Sequence, residues 1–544
     1  MNRFSSVCEQ ISQTTKKLEK ERILSEYLRS LEDEDLVIAC IFLSGVPFAL
    51  RDQRTTNVGF AAVRAALLEI DPQISDRLNA VLLQTGDLGT AVQELFRNRN
   101  QIPSLTLKNV ALYYEQLSTA ATNRKKRELT RQILSRATAM ESKYLIKILV
   151  GGMRIGLQES LVESSIAKAF GRPLPQVQYA NMLLGDIGEC AFLAKYDRLT
   201  ETRMRLLHPL KLMLASPEED VNRILKYMNG RGLAEDKYDG IRAQIHKQNH
   251  QIKIYSRDLD DITVSFPDIV SAISRIPDSF LLDGEIVPFK DEKILSFGEL
   301  QKRLGRKVLN DDMLHLVPCL YFAFDLLFYD GMLLIGDPLH KRREILVHLQ
   351  QAHPHSFALA IQQSASSPDD VEKAFAASRN RNNEGLVIKH PDSPYTPGKR
   401  GKYWLKLKRA MLTLDVVVVV AEYGHGKRAG LLSDYTFAVQ DQGNLLTIGK
   451  AYSGITDEEL NQLSELFHKI SMRNEGHYHI VPPQVVLEVT FDRINRSRRH
   501  SSGFALRFPR IKRIRWEKKP EEIDTLETVE QLFQLQETDS FPES

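Results

Sequence analysis

From residue 1 to about 205, apolar positions recur every three to four residues, as in "KERILSEYLRSLEDEDLVIACIFLSG" and "ESLVESSIAKAF". That spacing puts one apolar stripe on each segment and predicts a run of amphipathic helices. "SPEED" (216–220) predicts a further helix start, with Ser216 as N-cap and Pro217 at the first helical position. From about residue 237 the period becomes two. "RAQIHKQNHQIKIYSR" alternates, and "SFLLDGEIVPFK", "LYFAFDLLFY" and "GLVIKH" are short β-rich runs with helical pieces such as "PLHKRREILVHLQ" between them. The pattern predicts an α+β domain with antiparallel sheets. After "WLKLKRAM" come closely spaced strands with Gly-rich turns, "LDVVVVVAEYG", "DYTFAVQ", "NLLTIGKAYSG" and "QVVLEVTFDRI", which suit a small β-barrel. The acidic tail after Pro520 ends in a predicted helix, "TLETVEQLFQLQ". The expected division is an all-α region 1–205, an α+β domain 206–411 and a β-barrel domain 412–544, in keeping with a length of 544 residues.

Composition changes this picture in two places. The net charge of +3 says little, but Asp492 to Lys519 holds eleven Lys/Arg against two acids, which points to a polyanion partner. "RSRRHSSGFALRFPR" mixes basic and aromatic residues as nucleic-acid surfaces do, although a solubilising face has the same charge. Cys8, Cys40, Cys190 and Cys319 form no CxxC pair, which argues against a zinc ribbon or a disulfide scaffold and fits a reducing compartment. No apolar run approaches the roughly 18–20 residues of a membrane span, and the N-terminal stretch has no apolar signal core. The expectation is no membrane partner and, in a prokaryotic cell, a cytoplasmic location with the nucleoid.

The chemistry centres on "AEDKYDGIRAQIHK" (234–247). Lys237 stands between Asp236 and Asp239, with Gly240 and Arg242 following. Asp239-Gly240 is a good hairpin turn pair, so the segment reads as a solvated charged turn. It also reads as a nucleophilic lysine with Arg242 five residues on, near enough along a hairpin to help hold a phosphate. A lysine nucleophile must lose a proton, and burial, a neighbouring cation or a metal makes that easier.

"EDKYDGIR" resembles the active-site lysine motif of the covalent nucleotidyltransferases, and further collinear motifs of that superfamily follow in order. "YSRDLDDITVSFPD" carries Arg257, "LLDGEIVPF" Glu285, "LYFAFDLLFYDG" Phe324, "NEGLVIKH" Glu384 and Lys389, and "YWLKLKR" Lys406 and Lys408. "ALRFPRIKRIRWEKKP" resembles the terminal motif, with Arg515 and Lys518. The resemblance implies Lys237 as the residue that becomes N6-AMP-lysine. It implies a nucleotide site built from Glu235, Arg242, Arg257, Glu285, Phe324, Lys389, Lys406, Lys408, Arg515 and Lys518. The residue types suit that use. Cations neutralise a triphosphate, hard carboxylate oxygens at Glu285 and Glu384 suit Mg2+ or Mn2+, and Phe324 offers a ring to stack on adenine, whose amine Glu235 would accept. Judged singly, Glu285 and Glu384 also read as strand ends and Phe324 as core.

The long helical region before the core, with "MRIGLQESLVESSIAKAF" (153–170), "EYGHGKRAGLLSDYTFAV" (422–439) and "SSGFALRFPRIKRIR" (501–515), resembles the ATP-dependent DNA ligases of archaea, eukaryotes and some bacteria. That implies a helical DNA-binding domain, an adenylation domain and a C-terminal OB-fold, with ATP as co-substrate and nicked duplex DNA as partner. It also implies a monomer; no clear peptide for binding a sliding clamp is seen. An RNA ligase or guanylyltransferase of the same superfamily, and a nick-binding protein without activity, are the competing readings. The terminal motif departs from the usual Arg-x-Asp-Lys, since Glu517 stands at the acidic position. A hinge is expected near Arg409 to Asp415, because the barrel must serve both adenylation and DNA binding.

Overall fold

The computed structural model describes residues 1–295, 297–303, 311–381, 383–407 and 412–538. The proposed hinge falls partly outside them, at 409–411, and Leu412 to Asp415 already belong to a strand. By internal contacts the chain divides into two compact units, one formed by Met1–Asp71 with Arg99–Lys408, the other by Pro72–Asn98 with Arg409–Ser544.

α-Helices run from Asn2–Ser12 to Ile187–Lys195, as the three-to-four spacing predicts; all belong to the first unit except Ile74–Thr85 and Leu88–Leu95, which belong to the second. Local chemistry sets their ends. Before Ala139–Leu149, Thr138 accepts from the Glu141 amide at 3.2 Å while the Glu141 carboxylate accepts from the Thr138 amide at 2.9 Å; this reciprocal cap satisfies two donors the helix cannot. The chain leaves the helices along 206–213. There Gln244 grips the backbone of Leu210, accepting from its amide at 2.8 Å and donating to its carbonyl at 2.7 Å.

The strands that follow are β1 (Leu214–Pro217), β2 (Gly232–Lys237), β3 (Ile241–Gln248), β4 (Gln251–Ser256), β5 (Phe280–Lys290), β6 (Lys293–Ile294), β7 (Cys319–Tyr329), β8 (Met332–Leu333), β9 (Ala358–Leu359), β10 (Gln362–Ala365), β11 (Gly385–Lys389) and β12 (Arg400–Leu407). They make two sheets. One has the order β1-β12-β11-β2-β10, the other β4-β3-β5-β7-β8, with β6 on β5 and β9 on β7. Most pairs are antiparallel; β1 with β12 and β7 with β9 are parallel. Alternation along β2 and β11 sends Ala234, Leu386 and Ile388 to one apolar layer, against Val371, Ala374 and Phe375 of helix Pro368–Asn380. The other sheet packs on Phe266, Ile269 and Ile273, and on Leu346 and Leu349. Between the sheets lie Leu281, Leu327, Tyr395 and Trp404.

Two local predictions are corrected. Ser216 and Pro217 do not start a helix; they end β1, whose register pairs Ser216 with Leu405 and Pro217 with Lys406. The helix begins at Val221, and its N-cap is Asp220, which accepts from the Asn222 and Arg223 amides at 2.9 and 3.3 Å. Pairing with a strand far along the chain outweighed a local start signal, and Asp220 caps as well as Ser216 would. Asp239-Gly240 is not a hairpin turn either. Because β2 and β3 lie in different sheets, residues 238–240 form the crossover between them. A Cβ on Gly240 would stand 2.2 Å from the Ile286 carbonyl oxygen, so close approach fixes this glycine.

The second unit holds a strand-rich C-terminal domain. Its strands are β13 (Leu412–Tyr423), β14 (Leu432–Asp441), β15 (Asn444–Ala451), β16 (Arg473–Asn474), β17 (Tyr478–Ile480), β18 (Val486–Phe491), β19 (Arg493–Arg496), β20 (Phe504–Arg507) and β21 (Arg510–Ile514). The long β13 pairs along one edge with β14 and along the other with β18 and then β17. Its Val416, Val417 and Val418 are all buried. Helices Asp457–Ile470 and Leu526–Thr538 close the core through Leu460, Leu463, Phe467, Val529 and Phe533.

Candidate active site

Strand alternation places Glu235 and Lys237 on the face of β2 opposite Ala234. On that same face β11 contributes Lys389 and β12 contributes Trp404, its register partner. The second sheet supplies Arg242 from β3, Asp283 and Glu285 from β5 and Phe324 from β7. The crossover at 238–240 brings the two faces together. Tyr238 anchors it, stacking on Phe322 at 4.7 Å and accepting a hydrogen bond from the Ile361 amide at 3.1 Å.

The Lys237 ammonium donates to Glu384, and the Glu384 amide donates to the Lys237 carbonyl at 2.8 Å. About a fifth of each side chain reaches solvent, 23% for Lys237 and 20% for Glu384. Burial pushes the Glu285 carboxyl up to about 8, with Lys237 and Arg242 pulling it down and Glu384 adding to the rise. Without a further cation that carboxyl is largely protonated at neutral pH.

The walls are more deeply buried. Lys389 pairs with Glu235 at 2.5 Å, each side chain only 2% exposed. Gln362 donates to the other Glu235 oxygen at 2.7 Å. The Lys389 ammonium lies 4.4 Å from the Phe324 ring and 4.1 Å from that of Trp404. Burial pulls its pKa down and Glu235 opposes the fall. Arg242 forks onto Asp283 at 3.1 and 2.7 Å, and its guanidinium faces the same two rings at 5.4 and 5.7 Å. Tyr395 donates to Asp283 at 2.7 Å.

Of the residues expected at a nucleotide site, Glu235, Lys237, Arg242, Glu285, Phe324, Glu384 and Lys389 come together. Lys406 follows Trp404 by two along β12, opposite Val387. Arg257 stands exposed in the turn after β4, outside these pairs. Lys408 lies outside the described residues. Arg515 and Lys518 belong to the second unit. There Arg515 donates to both Asp415 oxygens at 3.0 Å and to Glu517 at 2.6 Å, and Lys518 donates to Asp415 at 2.6 Å. Sequence reasoning missed Trp404, Asp283, Tyr395 and Gln362. The first two had a signal: each lies two residues before a flagged residue, Lys406 and Glu285, and so on the same strand face. Gln362 and Tyr395 had none.

Among the described residues no group of three or more His, Cys, Asp or Glu forms a metal cage. Glu285 and Glu384 still fit a hard divalent cation. Mg2+ commonly binds through one or two carboxylates, with waters and substrate phosphates completing its shell, and a dication would answer the burial that keeps Glu285 neutral.

Comparison with known proteins identifies this arrangement. Family models described as DNA ligase N terminus, ATP dependent DNA ligase domain and ATP dependent DNA ligase C terminal region match residues 1–167, 212–408 and 428–518. A probable DNA ligase of Koribacter versatilis is 44% identical, covering 98% of this chain and 97% of its own. A DNA ligase of Methanothrix thermoacetophila is 36% identical, covering 98% of each. The solved structure named Pmar-Lig_PreS3 shares the fold at a TM-score of 0.63 and 18% identity, over 94% of this chain and 99% of its own. Fold and site thus define a multidomain nucleotidyltransferase. Within that class, the chain belongs to the ATP-dependent DNA ligase family. ATP is its co-substrate, and it seals nicks by way of an enzyme adenylate and a DNA adenylate. No helix among the described residues is long and apolar enough to cross a membrane.

Proposed function

We propose that Lys237 is the residue adenylated. The observation that carries this is its ammonium held by Glu384, with Glu285 near enough to feel both charges. Lys237 Nζ attacks the α-phosphate of ATP, the bond to the β-phosphate oxygen breaks and pyrophosphate leaves. Glu384 is placed to take the proton that Nζ gives up. The AMP then passes to the 5′-phosphate at the nick, and the 3′-hydroxyl displaces it. Glu285 and Glu384 would hold a divalent cation, which when bound would supply charge stabilisation on the phosphates. Phe324 presents a ring for the adenine and Glu235 an acceptor for its amine.

Arg242 and Lys389 act from fixed positions, each committed to a buried acid. Arg257, Lys406 and Lys408 are the cations assigned to the ribose and phosphates, and Arg515 with Lys518 to the leaving pyrophosphate. The chain works as a monomer on nicked duplex DNA and, in a prokaryotic cell, in the cytoplasm with the nucleoid.

The test is incubation with ATP labelled at the α-phosphate, Mg2+ and no DNA, after stripping with pyrophosphate. Labelled protein from ATP, absent in Lys237→Ala and absent with labelled GTP or NAD, is the expected result. Undiminished labelling of Lys237→Ala would move the nucleophile elsewhere.

A further inference from the structure

Asp236 is out of place for its position. It lies between Glu235 and Lys237, so strand alternation turns it away from the site, towards the layer of Ala234, Leu386 and Phe375. It is buried there, with 3% of its side chain exposed. A carboxylate in an apolar layer is costly unless fully hydrogen-bonded. Its donors come from one short segment. Arg381 forks onto both oxygens at 2.8 Å, and the Asn383 side-chain amide donates at 3.0 Å.

That segment joins helix Pro368–Asn380 to β11, and it ends at Glu384. The Asn383 amide donates to the Ser378 carbonyl at 3.1 Å, and Ser378 Oγ donates to the Gly385 carbonyl at 2.6 Å. Gly385 sits at φ +149°, and a Cβ there would stand 2.5 Å from the Leu407 carbonyl oxygen. The backbone carrying Glu384 is therefore held from both sides. Lys237 binds its amide from the strand edge, and Asp236 binds its neighbours from beneath. Adjacent residues of β2 thus present the nucleophile and anchor the carboxylate that faces it.

We infer that the Asp236–Arg381 pair is a positioning device that fixes Glu384 relative to Lys237. In this role it acts through Glu384, not by contact with nucleotide or DNA. The inference rests on the roles given above to Lys237 and Glu384. Arg381 is 37% exposed on its side chain, so its replacement leaves no large cavity, although Asp236 then loses its paired cation.

The test compares Arg381→Met, Arg381→Lys, Asp236→Asn and Glu384→Ala in the full-length chain. Single-turnover self-adenylation at saturating ATP and Mg2+ is expected to fall about 10- to 100-fold in Arg381→Met, the scale of roughly an ångström of misplacement. The ATP concentration for half-saturation should stay within about twofold, and Arg381→Lys should recover part of the rate. A second readout uses no nucleotide or metal. Hydrogen exchange of the Glu384 amide should quicken in Arg381→Met and Asp236→Asn, while that of Ile388 in the middle of β11 stays as in the parent. Equal acceleration of both amides would reduce the pair to general stability and overturn the inference. A normal adenylation rate in Arg381→Met, with Glu384→Ala inactive, would overturn it and leave the site assignment standing. A normal rate in Glu384→Ala would remove the assignment itself. A higher half-saturating ATP concentration at an unchanged rate would place the pair in nucleotide binding, again against the inference. Should Arg381→Met fail to fold, Arg381→Lys and Asp236→Asn carry the same comparison.

Discussion

Replacing Glu235 by Ala probes the most deeply buried charge pair of the site. Lys389 and Glu235 meet at 2.5 Å with 2% of each side chain exposed. Removing one partner of such a pair costs about 3–5 kcal/mol, because the other charge is left buried and unpaired. The Phe324 and Trp404 rings already face the ammonium at 4.4 and 4.1 Å and stay in the variant; their attraction, of order 1 kcal/mol, keeps the cost from rising further. Burial already draws the Lys389 pKa down, so without Glu235 it falls further below its unfolded value of about 10.4. In the interval between the two values the unfolded chain holds a proton that the folded chain lacks. Stability of the variant must then rise with pH, by up to about 1.4 kcal/mol per unit, and the deficit shrinks on going from pH 7 to 9. The chain carries its own reporter. It has two tryptophans, Trp404 beside the pair and Trp516, which is exposed. In a Trp516→Phe background, urea unfolding followed by Trp404 fluorescence reads the adenylation domain alone. Glu235→Ala/Lys389→Met should regain most of the loss, since an apolar replacement of a buried pair is near neutral. A single variant costing under about 1 kcal/mol, with no pH dependence and no recovery in the double variant, would refute the reasoning.

Three further outcomes are expected. Gly240→Ala drives a methyl group into the Ile286 carbonyl; a loss of about 2–4 kcal/mol, read by the same fluorescence, and severely slowed adenylation should follow. His246 is buried, and burial, aided by His208, lowers its pKa to about 3. The unfolded chain takes up that proton near pH 6.5 while the folded one does not, so its contribution is complete above 6.5 and is lost as pH falls towards 3. His246→Gln should flatten the stability profile across that window, and an unchanged acid limb would contradict the assignment. Arg498 is exposed between β19 and β20 in the basic cluster. Arg498→Ala should weaken nicked-DNA binding alike for all sequences and lower the slope of log K against log salt by about 1.

Periodicity carried the sequence reading a long way. The change from a three-to-four spacing to alternation marked where helices yield to sheets, while Glu235 entered only through the resemblance of the lysine motif. What it could not supply was partnership across the chain. Glu235 meets Lys389, and Asp236 meets Arg381, across about 150 residues. Each acid alone reads as an exposed charge on a turn. The same blindness explains both corrections. Ser216-Pro217 and Asp239-Gly240 are good local signals for a helix start and a hairpin. Their fates were set by β12 and by the Ile286 carbonyl, which no window around them contains. Phe324 shows the converse: an apolar run hid a ring whose two cationic neighbours come from strands of both sheets.

The pairs themselves sort into two kinds, and the sorting constrains how a triphosphate enters. Lys389–Glu235 and Arg242–Asp283 hold acids that are 2% and 0% exposed. Exchanging such an acid for a phosphate would leave a carboxylate buried and unpaired, at a cost comparable to the binding itself. These cations therefore act through their field while keeping their partners. Lys237–Glu384 and Arg515–Glu517 are different. Glu517 is 62% exposed and can turn into water when a phosphate takes its place, whereas Glu384, 20% exposed and held through its backbone amide, stays beside Lys237. Exchange at Glu517 is cheap, because an exposed ion pair contributes only a fraction of a kcal/mol to about 1 kcal/mol. Lys237 is thus held in a pair more open to solvent than the buried pairs that wall it in. If this division is right, neutralising Glu384 should change the rate of adenylation far more than the fold's stability, and neutralising Glu235 should do the reverse.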